Sequence, residues 1–166
     1  MTAEERAKVF LSERQTLVLA TTGMNGLPTA SHAPFVRKDG NFYVYTSALS
    51  RHTRDMQQSP DVSVMIMEDE VAAAANLFAR KRLTLSCVAH CVPRGVAEWQ
   101  NVLDLFEIRF GKPFELIKPL GDFTLFRLVP TDATYVEGFG QAYRLNKDLE
   151  EPVHIRGTGP GAKAHK

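Results

Sequence analysis

Apolar and polar positions alternate along much of this chain, and the alternation defines its strands. TLVLATT, TASHAPFVR, NFYVYTS, DVSVMIMED, ARKRLTLSCVAHCV, FTLFRLVP and DATYVEGFG each read as a β-strand. In NFYVYTS the parity sends Phe42, Val44 and Thr46 one way and Tyr43, Tyr45 and Ser47 the other. In the long ARKRLTLSCVAHCV run, Leu83, Leu85, Cys87, Ala89 and Cys91 share a face, and Lys81 shares their parity. The Asn25-Gly26 pair in MNGLP suits a tight hairpin between the first two strands, and RKDG turns the second strand back onto NFYVYTS.

Helical spacing is rarer. Thr2 and Glu5 form a capping box ahead of a helix from Ala3 to about Gln15, with Ala7, Phe10 and Leu11 on one side. SRHTRDMQQSP predicts a short helix capped at Ser50 and stopped by Pro60, and VAAAANLFA a brief one. In GVAEWQNVLDLFEIRFG, Val96, Trp99, Val102, Leu103, Phe106 and Phe110 make a core-facing stripe that Gly111 ends. Strands joined mostly by tight turns, with helices interrupting rather than alternating with them, predict a mainly β fold with helical additions: an antiparallel barrel, not a parallel α/β sheet. A small barrel fills its interior with side chains, so chemistry is expected outside it, commonly at a subunit interface.

Composition narrows the function classes. The 166 residues suit one domain, residues 1–150, followed by a glycine-rich and flexible tail, 151–166. Twenty basic against nineteen acidic residues give no field for nucleic acid. No run approaches the roughly 20 apolar residues of a membrane span, and MTAEERAKVF has charges where a secretory signal has its apolar segment, so a cytoplasmic protein is expected. Cys87 and Cys91, about 13 Å apart along one strand, are too distant for a disulfide and read as reduced thiols.

The familiar motifs are absent. CVAHC turns His90 and Cys91 to opposite faces and cannot close on zinc. GTGPGAK lacks the glycine before lysine of a phosphate loop, and GFGQAY lacks the third glycine of a dinucleotide fingerprint. His32 and His90 read as strand-borne structural residues. Two clusters remain. TSALSRHTR gathers Ser47, Ser50, Arg51 and His52 at a strand end and helix start, either a seat for phosphate or carboxylate or simply a solvated helix entrance. Arg80, Lys81 and Arg82 open a strand beside the acidic MEDE; cross-strand ion pairing accounts for them, and so does a ligand bearing two carboxylates.

The order of elements in NFYVYTSALSRHTRDMQQSPDVSVMI resembles the flavin-binding split barrels of the pyridoxamine 5′-phosphate oxidase-like superfamily. LFARKRLTLSC, with TLFRLVPTDATYVEGFGQAYRL, is similar more narrowly to the haem-utilisation (HugZ/HutZ-type) branch, and the resemblance runs from about Phe10 to Leu149. It implies a dimeric antiparallel split β-barrel that binds haem between subunits and opens it to biliverdin with release of iron, using oxygen and an external electron donor. It implies further that a histidine on the C-terminal loop ligates the haem iron. That histidine is His165, with His154 the alternative, because GTGPGAKAHK replaces the family's short ending. From Ile155 to His165 an extended chain covers roughly 33 Å, enough to cross a dimer groove.

The same resemblance makes Asp132 the carboxylate that orients the ligand histidine. It places Arg82, with Arg80 beside it, at the open side or the propionates, and Thr21 and Ser31 along the pocket. Two other functions compete: an FMN-dependent oxidoreductase using the seat at Ser47, Ser50, Arg51 and His52, and a haem carrier or storage protein without turnover.

Overall fold

The computed structural model describes residues 1–157. Among these residues nine strands, all paired antiparallel, form one sheet: β1 (Thr16–Thr22), β2 (Pro28–Pro34), β3 (Val36–Lys38), β4 (Asn41–Ser47), β5 (Asp61–Met67), β6 (Arg82–Val92), β7 (Phe123–Gly138), β8 (Gln141–Asn146) and β9 (Val153–His154). The order is β2-β1-β5-β6-β7-β4-β3, with β8 on the second half of β7 and β9 on β8. The sheet curls until β4 approaches β2 without a shared ladder, a barrel left split along that seam.

Inward-facing residues fill the barrel. Leu17, Leu19, Phe35, Phe42, Val44, Val64, Ile66, Leu83, Leu85, Phe126 and Leu128 are all essentially inaccessible. The helix α1 (Ala3–Ser12) closes one end with Ala7, Phe10 and Leu11, and its capping box is formed by Thr2 and Glu5. The helix α2 (Arg51–Gln58) closes another through Met56. A second apolar cluster lies outside the barrel, where α3 (Ala97–Phe110) and α4 (Lys112–Ile117) cover β3, β4 and the first half of β7. Tyr43, Tyr45 and Leu125 meet Trp99, Phe106 and Phe114 there, so β4 is buried on both faces.

Several local expectations change. The second strand stops at Pro34 and turns at Phe35, so β3, not β2, pairs with β4. The two strands expected around Pro130 are one 16-residue strand, bent by a bulge that leaves Thr131 as the extra residue opposite Ser86 and Cys87. A bulge accommodates a residue with no N–H to give to the ladder. The first helix ends at Ser12 rather than Gln15, and VAAAANLFA is turns with one 3₁₀ turn at Leu77–Ala79. Gly111 ends α3 with φ +63°, as its position in the sequence suggested.

Candidate functional site

Among the described residues, no helix covers the exterior of β1, β5, β6 and the second half of β7. Cross-strand rungs run over it, because residues directly opposite in an antiparallel pair share a face. Ala20, Ser63, Ser86 and Asp132 form one rung. Val18, Met65, Thr84 and Thr134 form the next. Met67, Arg82 and Val136 form the third, continued by Ala142 on β8. The middle of the face is half-buried aliphatic, thioether and hydroxyl surface.

The bulge aims Asp132 outward at one end of this face. Thr131 donates its hydroxyl to the Ser86 carbonyl at 3.2 Å, which pins the extra residue, and Asp132 is exposed beside it. A 450 Å³ cleft lies next to it, walled by Ala20, Thr22, Ser63, Ser86 and Thr131. The Cys87 thiol in that wall is pushed up to about 12, by burial first and by the charge of Asp132 second, so it stays a protonated, inert thiol. Cys91 is exposed and the alternation passes the burial to Val92, which packs under α3.

Arg82 faces outward at the opposite end, with one guanidinium nitrogen on the Arg80 carbonyl at 2.9 Å. Arg80 is engaged with the acidic segment, donating to the Glu68 carbonyl at 2.7 Å and standing 3.8 Å from Glu70. Lys81, of opposite parity, turns to the far side of the sheet. It lines a 570 Å³ cleft under α1 with Tyr135, Tyr143 and the bidentate Arg6–Glu137 pair, whose bonds are 2.6 and 2.7 Å.

Thr21 and Ser31 lie inward, under α2. Thr21 donates to the buried Asp55 carboxylate at 2.8 Å, and the Ser31 hydroxyl lies 2.6 Å from His52 Nδ1. Burial, then the neighbouring His32, lowers the His52 pKa, while Asp55 opposes them. This places Thr21, Ser31 and His52 together, on the other side of the sheet from Asp132 and Arg82. Asp55 was missed in the sequence because its partner comes from β1; helical spacing from His52 is its only local signal.

The anion seat has an acidic neighbour. Ser47 donates to the Asp122 carboxylate at 3.2 Å and accepts from the Leu49 amide at 3.1 Å. Ser50 caps α2 with its backbone and not its side chain. Arg51 is exposed at a 470 Å³ cleft with Arg54 and the β1–β2 turn.

His154 lies on β9 opposite Tyr143, against whose ring it packs edge-on at 5.3 Å, and its Nε2 is 2.9 Å from the Gly140 carbonyl. Tyr143 is on the α1 side with Tyr135, so His154 and Asp132 occupy opposite faces of the sheet. His165 lies outside the described residues. Among the described residues no three His, Cys, Asp or Glu side chains converge as a metal site, and no helix is long and apolar enough to cross a membrane.

The family model for pyridoxamine 5′-phosphate oxidase matches residues 3–137. A heme oxygenase, HutZ of Vibrio cholerae, is 43% identical over 153 residues, 92% of this chain and 86% of that protein. A crystal structure of Vibrio cholerae HutZ, described as a heme storage protein, aligns with a TM-score of 0.74 over 78% of this chain and 91% of that one. The crystal structure of Campylobacter jejuni ChuZ aligns with a TM-score of 0.86 at 31% identity, over 96% of this chain and 65% of that one.

Proposed function

Since the chain belongs to the pyridoxamine 5′-phosphate oxidase family, we propose that it has exchanged a flavin for haem, which it binds on the open half of its sheet and opens to biliverdin with release of iron. The observation that carries this reading is that Arg82 and Asp132 stand at opposite ends of one half-buried face, in a chain whose relative at 43% identity is a heme oxygenase. A planar macrocycle fits such a surface: Val18, Met65, Met67 and Val136 supply apolar contact and Thr84 and Thr134 hydroxyls.

One sheet face covers only one side of a macrocycle, so the proposal includes a homodimer in which a second copy closes the cleft. Haem supplies the redox chemistry, with oxygen and an external electron donor as co-substrates. The chain's own part is narrower. Arg82 neutralises a propionate or faces the open side, with Arg80 holding it in place. Asp132 would accept a hydrogen bond from the second ring nitrogen of the ligand histidine and so fix its orientation. We assign that role to His165, near the end of the chain; what favours it over His154 is that His154 sits on β9, on the opposite face of the sheet from Asp132, with its Nε2 2.9 Å from the Gly140 carbonyl. The protein acts in the cytoplasm.

Two rival readings remain measurable. FMN would place its phosphate at Ser47, Ser50, Arg51 and His52, where it meets the Asp122 carboxylate at Ser47 and a His52 already turned to Ser31. A haem store would bind and not turn over. Purified protein titrated with haem is expected to develop a stoichiometric Soret band, and ascorbate with oxygen then converts it to a biliverdin spectrum. A band that persists under those conditions makes the protein a store, and a yellow preparation with no Soret shift makes it a flavoprotein.

A further inference from the structure

The open face is electrically polarised along its strands. Asp61 and Asp132 stand exposed at one end, on outward positions of β5 and β7. At the other end is Arg82, and one rung in from it, across β7, is a second arginine: Arg144 of β8 lies opposite Thr134, which lies opposite Thr84. Arg144 is therefore on the same face as Arg82. Two strand spacings and one same-face step separate their Cα atoms, roughly 12 Å, within the span of two arginine side chains reaching toward one ligand edge.

Arg144 is exposed, and among the described residues it forms no ion pair, whereas Arg6, Arg14, Arg80 and Arg127 each do. Two neighbouring cations are turned elsewhere. Arg80 is held by Glu68 and Glu70, and Lys81 opens into the cleft under α1. An anionic edge bearing two carboxylates needs two cationic partners, and this face has one recognised so far. We propose that Arg144 is the second, a binding residue that with Arg82 draws both propionates to the β5–β6 turn end of the face and leaves the opposite edge of the macrocycle toward Asp132. The inference rests on the haem reading above and adds orientation to it: with carboxylates at one pole and arginines at the other, a reversed macrocycle would bring its propionates against Asp61 and Asp132.

The test uses the full chain and two probes, haem and haem dimethyl ester, in which both propionates are esterified. Titrations followed at the Soret band compare wild type with Arg144→Ala and Arg144→Lys. Arg144→Ala is expected to weaken haem about tenfold, the worth of one charge-assisted contact, with Arg144→Lys recovering part of the loss and the ester binding wild type and Arg144→Ala equally. Because Arg144 is exposed, both variants keep the wild-type melting temperature, which is measured alongside. Haem affinity unchanged in Arg144→Ala, or an equal loss for the ester, overturns the proposal while the haem reading stands. A wild type with no Soret shift overturns both.

Discussion

Among the described residues, the outside of the sheet is covered on one wing and bare on the other, although both are built from strands of the same alternation. Over β3, β4 and the first half of β7, the outward residues are Val36, Tyr43, Tyr45 and Leu125, and α3 and α4 bury them under Trp99, Phe106 and Phe114. The polar atoms of that wing have partners: Tyr43 donates to Glu98 at 2.7 Å, Arg127 grips the same carboxylate at 2.7 and 2.8 Å, and the Tyr45 hydroxyl donates to the Lys118 carbonyl at 2.9 Å. Over β1, β5, β6 and the rest of β7, the outward residues Val18, Met65, Met67 and Val136 stay half-exposed, among small and hydroxyl side chains. A wing that the chain's own helices do not cover, yet whose residues are not those of a solvated surface, has the character of a surface completed from outside.

The largest effect expected from this contrast comes from truncating the two wings in turn. Phe106→Ala empties a site packed by Phe110 and Phe114 at ring distances of 5.9 and 5.2 Å, and is expected to cost about 3–5 kcal/mol in denaturant unfolding. Met65→Ala on the bare wing is expected to cost under about 1 kcal/mol and to act on haem binding instead. If the two truncations destabilise the isolated chain equally, the bare wing is ordinary core and the contrast fails.

The two faces of the sheet offer a finer version of the same comparison. Thr21, inside, is buried and donates to Asp55, itself 4% exposed. Thr21→Val keeps the shape and removes the donor, leaving a buried carboxylate short of a partner at about 1–3 kcal/mol. Thr84→Val, outside and half-exposed, lies within about 0.5 kcal/mol of wild type. Equal losses at the two threonines would show that the buried hydrogen bond to Asp55 does not set the cost.

How much of this was legible beforehand follows from the range of the interactions involved. The parity of NFYVYTS and the stripe of α3 are local, and both were read correctly from Trp99 to Gly111, whereas Val96, expected in the stripe, is the exposed N-cap of α3. The burial of both faces of β4 required only that parity plus an amphipathic helix to meet it. Sheet order was not legible: nothing near Thr16 says that β1 will lie between β2 and β5, nor near Asn41 that β4 will reach across to β7. QAYRLN and the pair Val153–His154 carry too few apolar residues to announce strands, yet they extend the sheet beside β7 and turn His154 toward Tyr143. Pro130 signalled an interruption correctly, but a one-residue bulge absorbs it within a single strand. Of the site, Arg82 and Asp132 could be placed on one face only once β6 was paired with β7, and Thr21 and Ser31 belong with Asp55 and His52 for the same reason.

The smallest expected effect separates two histidines. His32 faces outward on the rung of Val18 and is exposed, whereas His52 is 9% exposed, on α2, with Ser31 against its Nδ1. The His52 pKa is lowered from its ordinary 6.5, by burial first, then by the nearby His32, against the opposing charge of Asp55. An imidazole with a folded-state pKa below its unfolded value binds fewer protons in the native state through the interval between the two. Its contribution to stability is therefore complete above about 6.5, and drains away as the pH falls through that value toward the folded pKa. Unfolding free energies measured from pH 8 down to pH 5 are expected to decline in wild type by this amount in addition to the carboxylate terms common to all variants. His52→Gln should flatten that decline, because glutamine does not titrate. His32→Gln should flatten it only slightly, since it removes the second of the two causes and leaves burial untouched. A profile that is steepest in the absence of His52, or one that His32→Gln flattens more than His52→Gln does, would mean that the proton is taken up on the bare outer face and not under α2.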